Sequence, residues 1–277
     1  MDKALTQIQQ DLESIKRVSN EENSMEFWHA RDLMSVLGYS TWRQFAEAIE
    51  RAKEACKISN QSVENHFLPA PAKSSGGRPK EDYFLTRYAC YLIAQNGDPR
   101  KPQIALAQTY FATQTRKQEL LEKRDYEDKR LEARAKLKET ENKIESTVYQ
   151  RGIRLPVEFA TFKNKHIEAL YGGVTASQLK RVRKIPTGRS LADFDTHVEL
   201  KAKDFVLAMT DHNIKQKNLQ GHYQMTEEVV KNSKATRQTL LSRGIRPENL
   251  KAEEDLKLVL SRRKKELKVV QNKNKLK

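Results

Sequence analysis

The chain has 277 residues, of which 32% are charged and 37% are hydrophobic, with a mean hydropathy of −0.82. This length suggests about two domains, and the polar composition favours extensive solvated helix surface around modest cores. No apolar run approaches the ~18 residues of a membrane-spanning helix, and no signal-type apolar segment follows the N-terminus, which argues against a membrane partner.

Basic residues are concentrated in the second half of the chain. The formal net charge is +15, yet residues 1–100 carry 13 basic and 14 acidic side chains, whereas residues 151–277 carry 28 and 14. A concentrated positive field attracts polyanions, because each neutralised phosphate releases counterions. The second half therefore predicts a nucleic-acid partner, with an anionic membrane, an acidic protein or simple solubility as weaker alternatives.

The first elements in chain order combine helices with short strands. Apolar residues at 3-4-3 spacing predict an amphipathic helix over residues 3–18, which docks on its own domain or pairs with a second copy. Residues 25–28 alternate and predict a short strand. A helix over 30–37 ends at Gly38, and a second begins after Ser40 or Thr41. The pair has the pattern of a helix-turn-helix.

The second of these helices carries the first candidate contacts to DNA. Its apolar face ends at Cys56, and five polar residues point elsewhere: Arg43, Gln44, Glu47, Glu50 and Arg51. All of these except Glu50 could reach base edges. Arginine suits the O6 and N7 atoms of guanine, and glutamine suits adenine. The alternative is an ordinary helical hairpin with a solvated outer face.

A Pro/Gly/Ser-rich stretch lies between two strand-like pieces at residues 66–68 and 83–85. We expect a β-hairpin with a long tip, on which Lys73, Arg78 and Lys80 contact phosphates or the minor groove. The alternatives are a plain exposed turn or an independent minor-groove peptide. Nearby aromatic residues could stack on unpaired bases, although their spacing is more typical of a core; these are Trp28, Trp42, Tyr83, Phe84, Tyr88 and Tyr91.

A long helical pattern follows. A helix capped by Thr86 stops at residues 96–99, and after Pro102 no glycine or proline occurs until Gly152. Most of this stretch is charged all round, with a sparse apolar seam of Leu120, Leu131, Leu137, Ile144 and Val148. It predicts a solvated connecting helix or, alternatively, a dimerising coiled coil.

Beyond Gly152 the pattern predicts helices over 156–170, 175–183, 190–213, 224–242 and 251–267. Five basic residues surround a Pro/Gly loop and predict a phosphate-binding patch, or alternatively a solvated loop: Lys180, Arg181, Arg183, Lys184 and Arg189. Arg237, Arg243 and Arg246 form a weaker set. The tail from Arg262 onward holds eight basic residues and one acidic residue, and we expect Arg262, Arg263, Lys264 and Lys265 to contact phosphate unless the tail is merely solvated.

An enzymatic alternative rests on acidic and histidine residues between 193 and 212, namely Asp193, Asp195, His197, Glu199, Asp204, Asp211 and His212. A metal-dependent nuclease needs carboxylates that converge from separate elements, and Asp204 is rotated away from Asp193 on a shared helix. No nucleotide-binding or zinc motif is present in the sequence, and the two cysteines, Cys56 and Cys90, have no ligand-like spacing. We therefore predict no cofactor, no metal and two buried, reduced thiols in a cytoplasmic protein.

Two stretches carry a family resemblance. The run FWHARDLMSVLGYSTWRQFAEAIERAKEAC, followed by GGRPKEDYFLTRYACYLIAQNGDPRKPQIALAQTYFATQTRKQE, closely resembles the BRO N-terminal domain of viral BRO proteins and phage antirepressors. The pieces FATFKNKHIEALYGG and TRQTLLSRGIRPENLKAEEDLK are similar, more loosely, to the bacterial DNA-damage-inducible protein D family. The resemblance implies a non-enzymatic DNA-binding protein of the SOS response that acts on recombinational repair through the RecA recombinase.

We therefore expect a mainly helical protein with a small α+β N-terminal domain, a long connecting helix and a helical C-terminal domain. The expected boundaries are 1–114 for the BRO-type domain, 115–150 for the charged helix, 151–260 for the basic helical domain and 261–277 for the basic tail. The runner-up function is a phage-type transcriptional regulator or antirepressor, and the third is a nuclease. A homodimer would form through residues 115–150 or 3–18.

Overall fold

The computed structural model describes residues 3–19, 25–70 and 80–275, except for the side chains of residues 267 and 269–275. The chain divides into two compact units, Met1–Leu121 and Glu122–Lys277. The fold is mostly helical with one small antiparallel sheet near the N-terminus, which confirms the predicted fold class. Within the described ranges, no helix is both long enough and apolar enough to cross a membrane.

The first unit holds the sheet and the shorter helices. In chain order its elements are α1 (Lys3–Ser14), β1 (Lys16–Val18), β2 (Glu26–His29), α2 (Ala30–Val36), α3 (Trp42–Ile58), α4 (Val63–His66), β3 (Phe67–Pro69), β4 (Tyr83–Leu85), α5 (Arg87–Gln95) and the beginning of α6 (Pro102–Gln150). The predicted cap is confirmed at Thr86, whose hydroxyl accepts a hydrogen bond from the Ala89 amide and so satisfies one free donor of α5.

The four strands pair antiparallel in the order β1-β2-β4-β3. The register sets Trp28 opposite Leu85, and Leu85 opposite Phe67 on its other side. All three side chains are buried in one core with the helices. Because side chains alternate along a strand, their neighbours in sequence lie on the opposite face of the sheet.

The N-terminal helix is shorter than predicted. It ends at Ser14, and residues 16–18 form β1 because they pair with β2. Ile8 and Leu12 are buried in the core of the same unit, and the Trp28 indole donates to the Leu12 carbonyl at 2.8 Å. This apolar face is therefore covered within the chain and is not free to pair with a second copy.

The second unit is helical. It contains the later part of α6, then α7 (Pro156–Leu170), α8 (Ala176–Val182), α9 (His197–Gln216), α10 (Gly221–Ser242) and α11 (Leu256–Lys275), with 3-10 turns at Leu191–Asp193 and Pro247–Asn249. The helix predicted from residue 190 begins only at His197. There the Thr196 hydroxyl accepts from the Glu199 amide, while the Glu199 carboxylate accepts from the Thr196 amide.

The predicted unbroken helix after Pro102 is confirmed, but part of it is not a solvated connector. Leu137, Ile144 and Val148 are buried in a core that also contains Leu200 of α9 and Val229 of α10. These three residues of the sparse apolar seam thus contact helices of their own unit, whereas Leu120 is exposed. The buried residues of the seam are covered and are not available for a coiled coil with a second chain.

Both cysteines are free and buried, as predicted. Burial raises the pKa of Cys90 far above its usual value, so this thiol stays protonated.

Candidate nucleic-acid interface

The helix pair α2–α3 turns at Gly38, as predicted. This residue has φ = +72°, and a Cβ there would lie 2.6 Å from the Gln103 side-chain oxygen. Glycine is therefore favoured both by the left-handed backbone and by the close approach of α6. The turn sets the direction in which α3 leaves α2.

Two of the predicted contacts on α3 are open to solvent. Arg43 and Gln44 are exposed, and Arg43 forms no ion pair with any described residue. Arg51 is also exposed, but its Nε and Nη2 donate to the Asn96 carbonyl at 3.0 and 2.8 Å. Because Asn96 is the C-terminal cap of α5, Arg51 satisfies a free carbonyl at a helix end.

The strands of the predicted hairpin are present as β3 and β4. Lys73 and Arg78 lie outside the described residues, whereas Lys80 is described and exposed. Asp82, just before β4, accepts hydrogen bonds from the Arg31 and Tyr83 amides at 3.1 and 2.9 Å. These contacts join the base of the hairpin to the beginning of α2.

The basic patch predicted around α8 separates into free and engaged residues. Arg181 and Lys184 are exposed and form no ion pair within the described part of the chain. Lys180 donates to the Thr187 carbonyl at 3.2 Å, which closes the loop after α8. Lys184 has φ = 55° where the helix ends. Two cations of the patch are thus free to meet an anion.

Arg183 belongs to the interior. Its side chain is only 3% exposed, and it donates to Asp195 at 3.1 Å, to Glu199 at 2.7 Å and to the Pro247 carbonyl at 2.9 Å. Lys203 makes a second ion pair with Asp195. Every hydrogen bond that Arg183 makes goes to a group inside the unit, so we remove it from the candidate contacts.

The charged groups around Arg183 are subject to opposing effects of burial and ion pairing. Burial raises the pKa of Asp195, against the opposing effect of Lys203 and Arg183, because a carboxylate is costly in a low-dielectric interior. Burial also raises the pKa of Tyr171, whose hydroxyl donates to Glu199 at 2.9 Å. Two cations and two carboxylates balance, which is the condition under which charges are tolerated inside a protein.

Arg189 and the tail arginines are engaged at the surface. Arg189 holds the Asp255 carboxylate at 2.9 and 2.5 Å. Burial opposes ionisation of Asp255, but the hydrogen bonds from Arg189 leave its pKa below the usual value. Arg262 and Arg263 of α11 both bind Glu127 of α6, at 2.7 and 3.2 Å.

Lys264 and Lys265 differ from the arginines that precede them. Both lysines are exposed, and neither forms an ion pair with a described residue. The predicted tail contacts therefore divide, like the α8 patch, into cations engaged within the unit and cations open to solvent.

The comparisons with known proteins match both units. Residues 14–112 match the BRO family, N-terminal domain, and residues 124–259 match the DinD C-terminal domain. The chain is 34% identical to DNA damage-inducible protein D of Escherichia coli (strain K12) over 244 residues, which cover 85% of this chain and 88% of that protein. The chain belongs to the DNA damage-inducible protein D family.

The family matches cover the helix pair and the α8 patch but end before the last free cations. The BRO match contains α2, α3 and all four strands. The DinD match contains Arg181 and Lys184 and stops at residue 259, ahead of Lys264 and Lys265. The tail lysines are thus a feature of this chain that the two domain matches do not include.

The carboxylates of the nuclease alternative are engaged in ion pairs and hydrogen bonds of the fold. Asp193 pairs with Arg134 at 3.1 Å, Asp204 accepts from Thr140 at 2.5 Å, and Asp211 accepts from Thr147 at 2.6 Å. Among the described residues, no group of three or more His, Cys, Asp or Glu side chains could hold a metal ion.

Two exposed lysines on α10 were missed from the sequence. Lys231 and Lys234 are three residues apart, so they share one helix face, and neither forms an ion pair within the described ranges. Lys201 of α9 is exposed in the same way. The three-residue spacing of Lys231 and Lys234 is the sequence signal, but neither lysine lies in a dense basic run.

Proposed function

We propose that this chain is a DNA-binding protein of the DNA damage (SOS) response that modulates recombinational repair without bond chemistry. In this proposal it occupies DNA, or a strand coated with the RecA recombinase, and acts by its presence there. Support comes from the likeness to a protein described as DNA damage-inducible and from a BRO-type domain, a type that binds DNA.

The observation that carries the proposal is the set of free cations in the second unit. Arg181, Lys184, Lys231 and Lys234 are exposed and unpaired among the described residues. Because an exposed lysine or arginine without a carboxylate partner gives up little on binding phosphate, such residues supply counterion-release affinity for any sequence. Binding of this kind suits a factor that must act wherever DNA is damaged.

The test measures binding to single-stranded, duplex and branched DNA, each with and without RecA. The variant Arg181→Glu/Lys184→Glu should weaken binding to all three forms alike. The slope of log affinity against log salt should fall by ~0.9 for each duplex phosphate that the variant no longer neutralises.

A matched control is Lys129→Glu/Lys136→Glu, which makes the same change in net charge on α6. These lysines already pair with Asp125 and Glu139 on their own helix. Equal reductions in affinity for the two double variants would mean that only net charge matters, and unchanged affinity in the first would remove α8 from the contact surface.

A second candidate function is a sequence-specific regulator of the phage antirepressor type. The exposed pair Arg43 and Gln44 on α3 favours it, because these side chains can read base edges in a major groove. A footprint confined to one operator, with Arg43→Ala relaxing the preference at a single base pair, would support this function over the first.

A further inference from the structure

Among the described residues, one face of the sheet in the first unit lies outside the core that its helices form. By alternation, Phe27 and His29 of β2 and Phe84 of β4 lie opposite the buried Trp28 and Leu85. The ring centroids of Phe27 and Phe84 are 5.1 Å apart, and those of His29 and Phe84 are 4.9 Å apart. Three aromatic rings therefore form one cluster on the two central strands.

This cluster is separate from the core. Within the described residues, neither Phe27 nor Phe84 belongs to the buried core or to the side chains packed against it, whereas their neighbours Trp28 and Tyr83 do. The rings meet edge to edge or edge to face, with interplanar angles between 64° and 77°. They do not form a closed stack, and both phenylalanines are only half-buried.

The charge on this face suits a polyanion. Arg17 of β1 stands directly opposite Phe27, is exposed and has no ion pair among the described residues. Among the described residues, the carboxylate of Asp82 lies beside the rings. Its Oδ2 is 3.0 Å from His29 Nδ1, and its Oδ1 accepts hydrogen bonds from two backbone amides. The negative charge of Glu26 lies on the other face, where it pairs with a lysine of β1.

We propose that Phe27, His29 and Phe84, with Arg17 at their edge, form a binding site for the unpaired bases of a DNA strand. The inference rests on the proposed function and deepens it, because it names the form of DNA and the surface that recognises it. Aromatic rings on the open face of a small sheet stack bases only when the bases are unpaired, since the faces of paired bases are covered within the duplex.

The composition of the face favours a nucleic acid over a second protein surface. Flat rings and an unpaired guanidinium occupy its centre and one edge, and the only strongly exposed aliphatic residue at the other edge is Leu68 among those described. Protein interfaces are also rich in aromatic residues and arginine, but rings beside a cation without a carboxylate partner are the combination with which single-strand sites stack bases and follow the phosphate backbone. The occupant is therefore an extended single strand.

The experiment uses the full-length chain and fluorescence anisotropy with labelled oligothymidylate and with a duplex of the same length. In Phe27→Leu/Phe84→Leu, which keeps apolar bulk but removes the rings, single-strand affinity should fall about ten-fold while duplex affinity stays as in the wild type. Phe27→Tyr/Phe84→Tyr should bind single strands as the wild type does.

Two further variants control the result. Tyr223→Leu removes a 72% exposed aromatic ring from the second unit and should change neither affinity. Arg17→Glu alters only an exposed side chain on the same face and should weaken single-strand binding even if the leucine pair folds poorly.

Three outcomes would overturn the inference. They are single-strand binding unchanged in both the leucine pair and Arg17→Glu, equal reductions in affinity for single strands and duplex, and a concentration-dependent dimer that the leucine pair abolishes. The last outcome would assign the face to a second copy of the chain. If the wild type binds duplex but the leucine pair and Arg17→Glu both keep its single-strand affinity, only this inference fails. If the wild type binds no DNA, the proposed function fails with it.

Discussion

The two units differ in net charge, but each contains both engaged cations and exposed cations. The second unit holds most of the positive excess, yet several of its arginines are engaged internally, as Arg183 and Arg189 show. The first unit is nearly neutral by count, yet it presents Arg17, Arg43 and Lys80 to solvent without ion pairs among the described residues. Net charge and available charge are therefore different quantities in this molecule.

Arginine and lysine side chains differ in how readily they are engaged inside a protein. The planar guanidinium offers five donors in a fixed fork, so it can bridge a carboxylate and a backbone carbonyl at once, as Arg183 does. A lysine ammonium is strongly hydrated and loses more on leaving water. In the second unit Arg183 accordingly joins elements, whereas Lys184 and Lys234 remain at the surface. Exposed Arg181 and buried Lys203 show that the position in the fold also decides whether a cation is engaged.

Removing the central arginine of the second unit gives the largest expected effect. In Arg183→Met, Asp195 and Glu199 stay buried with one cation fewer, which should cost about 3–5 kcal/mol of the free energy of unfolding. Urea denaturation followed by circular dichroism measures this change. Arg181→Met, two residues earlier on the same helix and exposed, should change stability by less than ~0.5 kcal/mol. Similar values for the two variants would remove the distinction between engaged and available arginines.

A second variant removes a carboxylate that two tail arginines share. Glu127 is nearly buried and accepts from both Arg262 and Arg263, so Glu127→Ala should cost about 1–3 kcal/mol. It should also raise affinity for DNA modestly, because one competing carboxylate is removed while Arg262 keeps Glu254 and Arg263 keeps Asp128. Glu132→Ala, an exposed position on the same helix, serves as the control. A stable Glu127→Ala variant with unchanged DNA affinity would show that the ion pairs with Glu127 do not limit DNA binding by the tail arginines.

A buried histidine of the second unit, His166, is expected to make the protein less stable in acid. The Ser233 hydroxyl donates to the Val229 carbonyl, so the Nδ1–H of His166 donates to Ser233 at 2.9 Å, and the buried Nε2 has no hydrogen-bond partner among the described residues. Burial, followed by the charge of Lys203, lowers the pKa of His166 to about 3. The unfolded chain therefore binds this proton near pH 6.5 and the folded chain does not.

The free energy of unfolding depends on pH through His166. Between these two pKa values the unfolded state holds the extra proton, so stability falls as the pH is lowered, by about 1 kcal/mol between pH 7 and pH 5.5. Unfolding free energies of the wild type and His166→Gln at both pH values isolate this contribution, because other titrating groups such as Asp195 are common to the two chains. Parallel pH dependence in the two proteins would contradict the assignment.

Much of the fold could be predicted from local signals. Gly38, Thr86 and the absence of helix breakers after Pro102 defined turns and helices that the structure contains. The beginning of α9 was misplaced because Asp193 and Asp195 resemble the acidic first turn of a helix. Asp195 instead points inward to Arg183 and Lys203, a long-range pairing that sequence spacing does not record.

The candidate interface was harder to predict for the same reason. A run of basic residues says nothing about which members meet a carboxylate, and Arg183 and Lys184 are adjacent in sequence but have opposite environments. Phe84 was assigned to the core by its strand spacing. Only the pairing of β4 with β2 placed it beside Phe27 on the open face.

The smallest effect on stability is expected for the tail lysines, which are exposed cations of the second unit. Lys264→Gln/Lys265→Gln removes two exposed, unpaired charges, so the free energy of unfolding should stay within ~0.5 kcal/mol of the wild type. If both ammonium groups contact phosphate, the slope of log affinity for duplex against log salt should fall by about 1.8. Anisotropy titrations at several salt concentrations measure that slope. A changed slope with unchanged stability would establish these lysines as available charge, whereas an unchanged slope would leave the free cations of α8 and α10 as the binding surface.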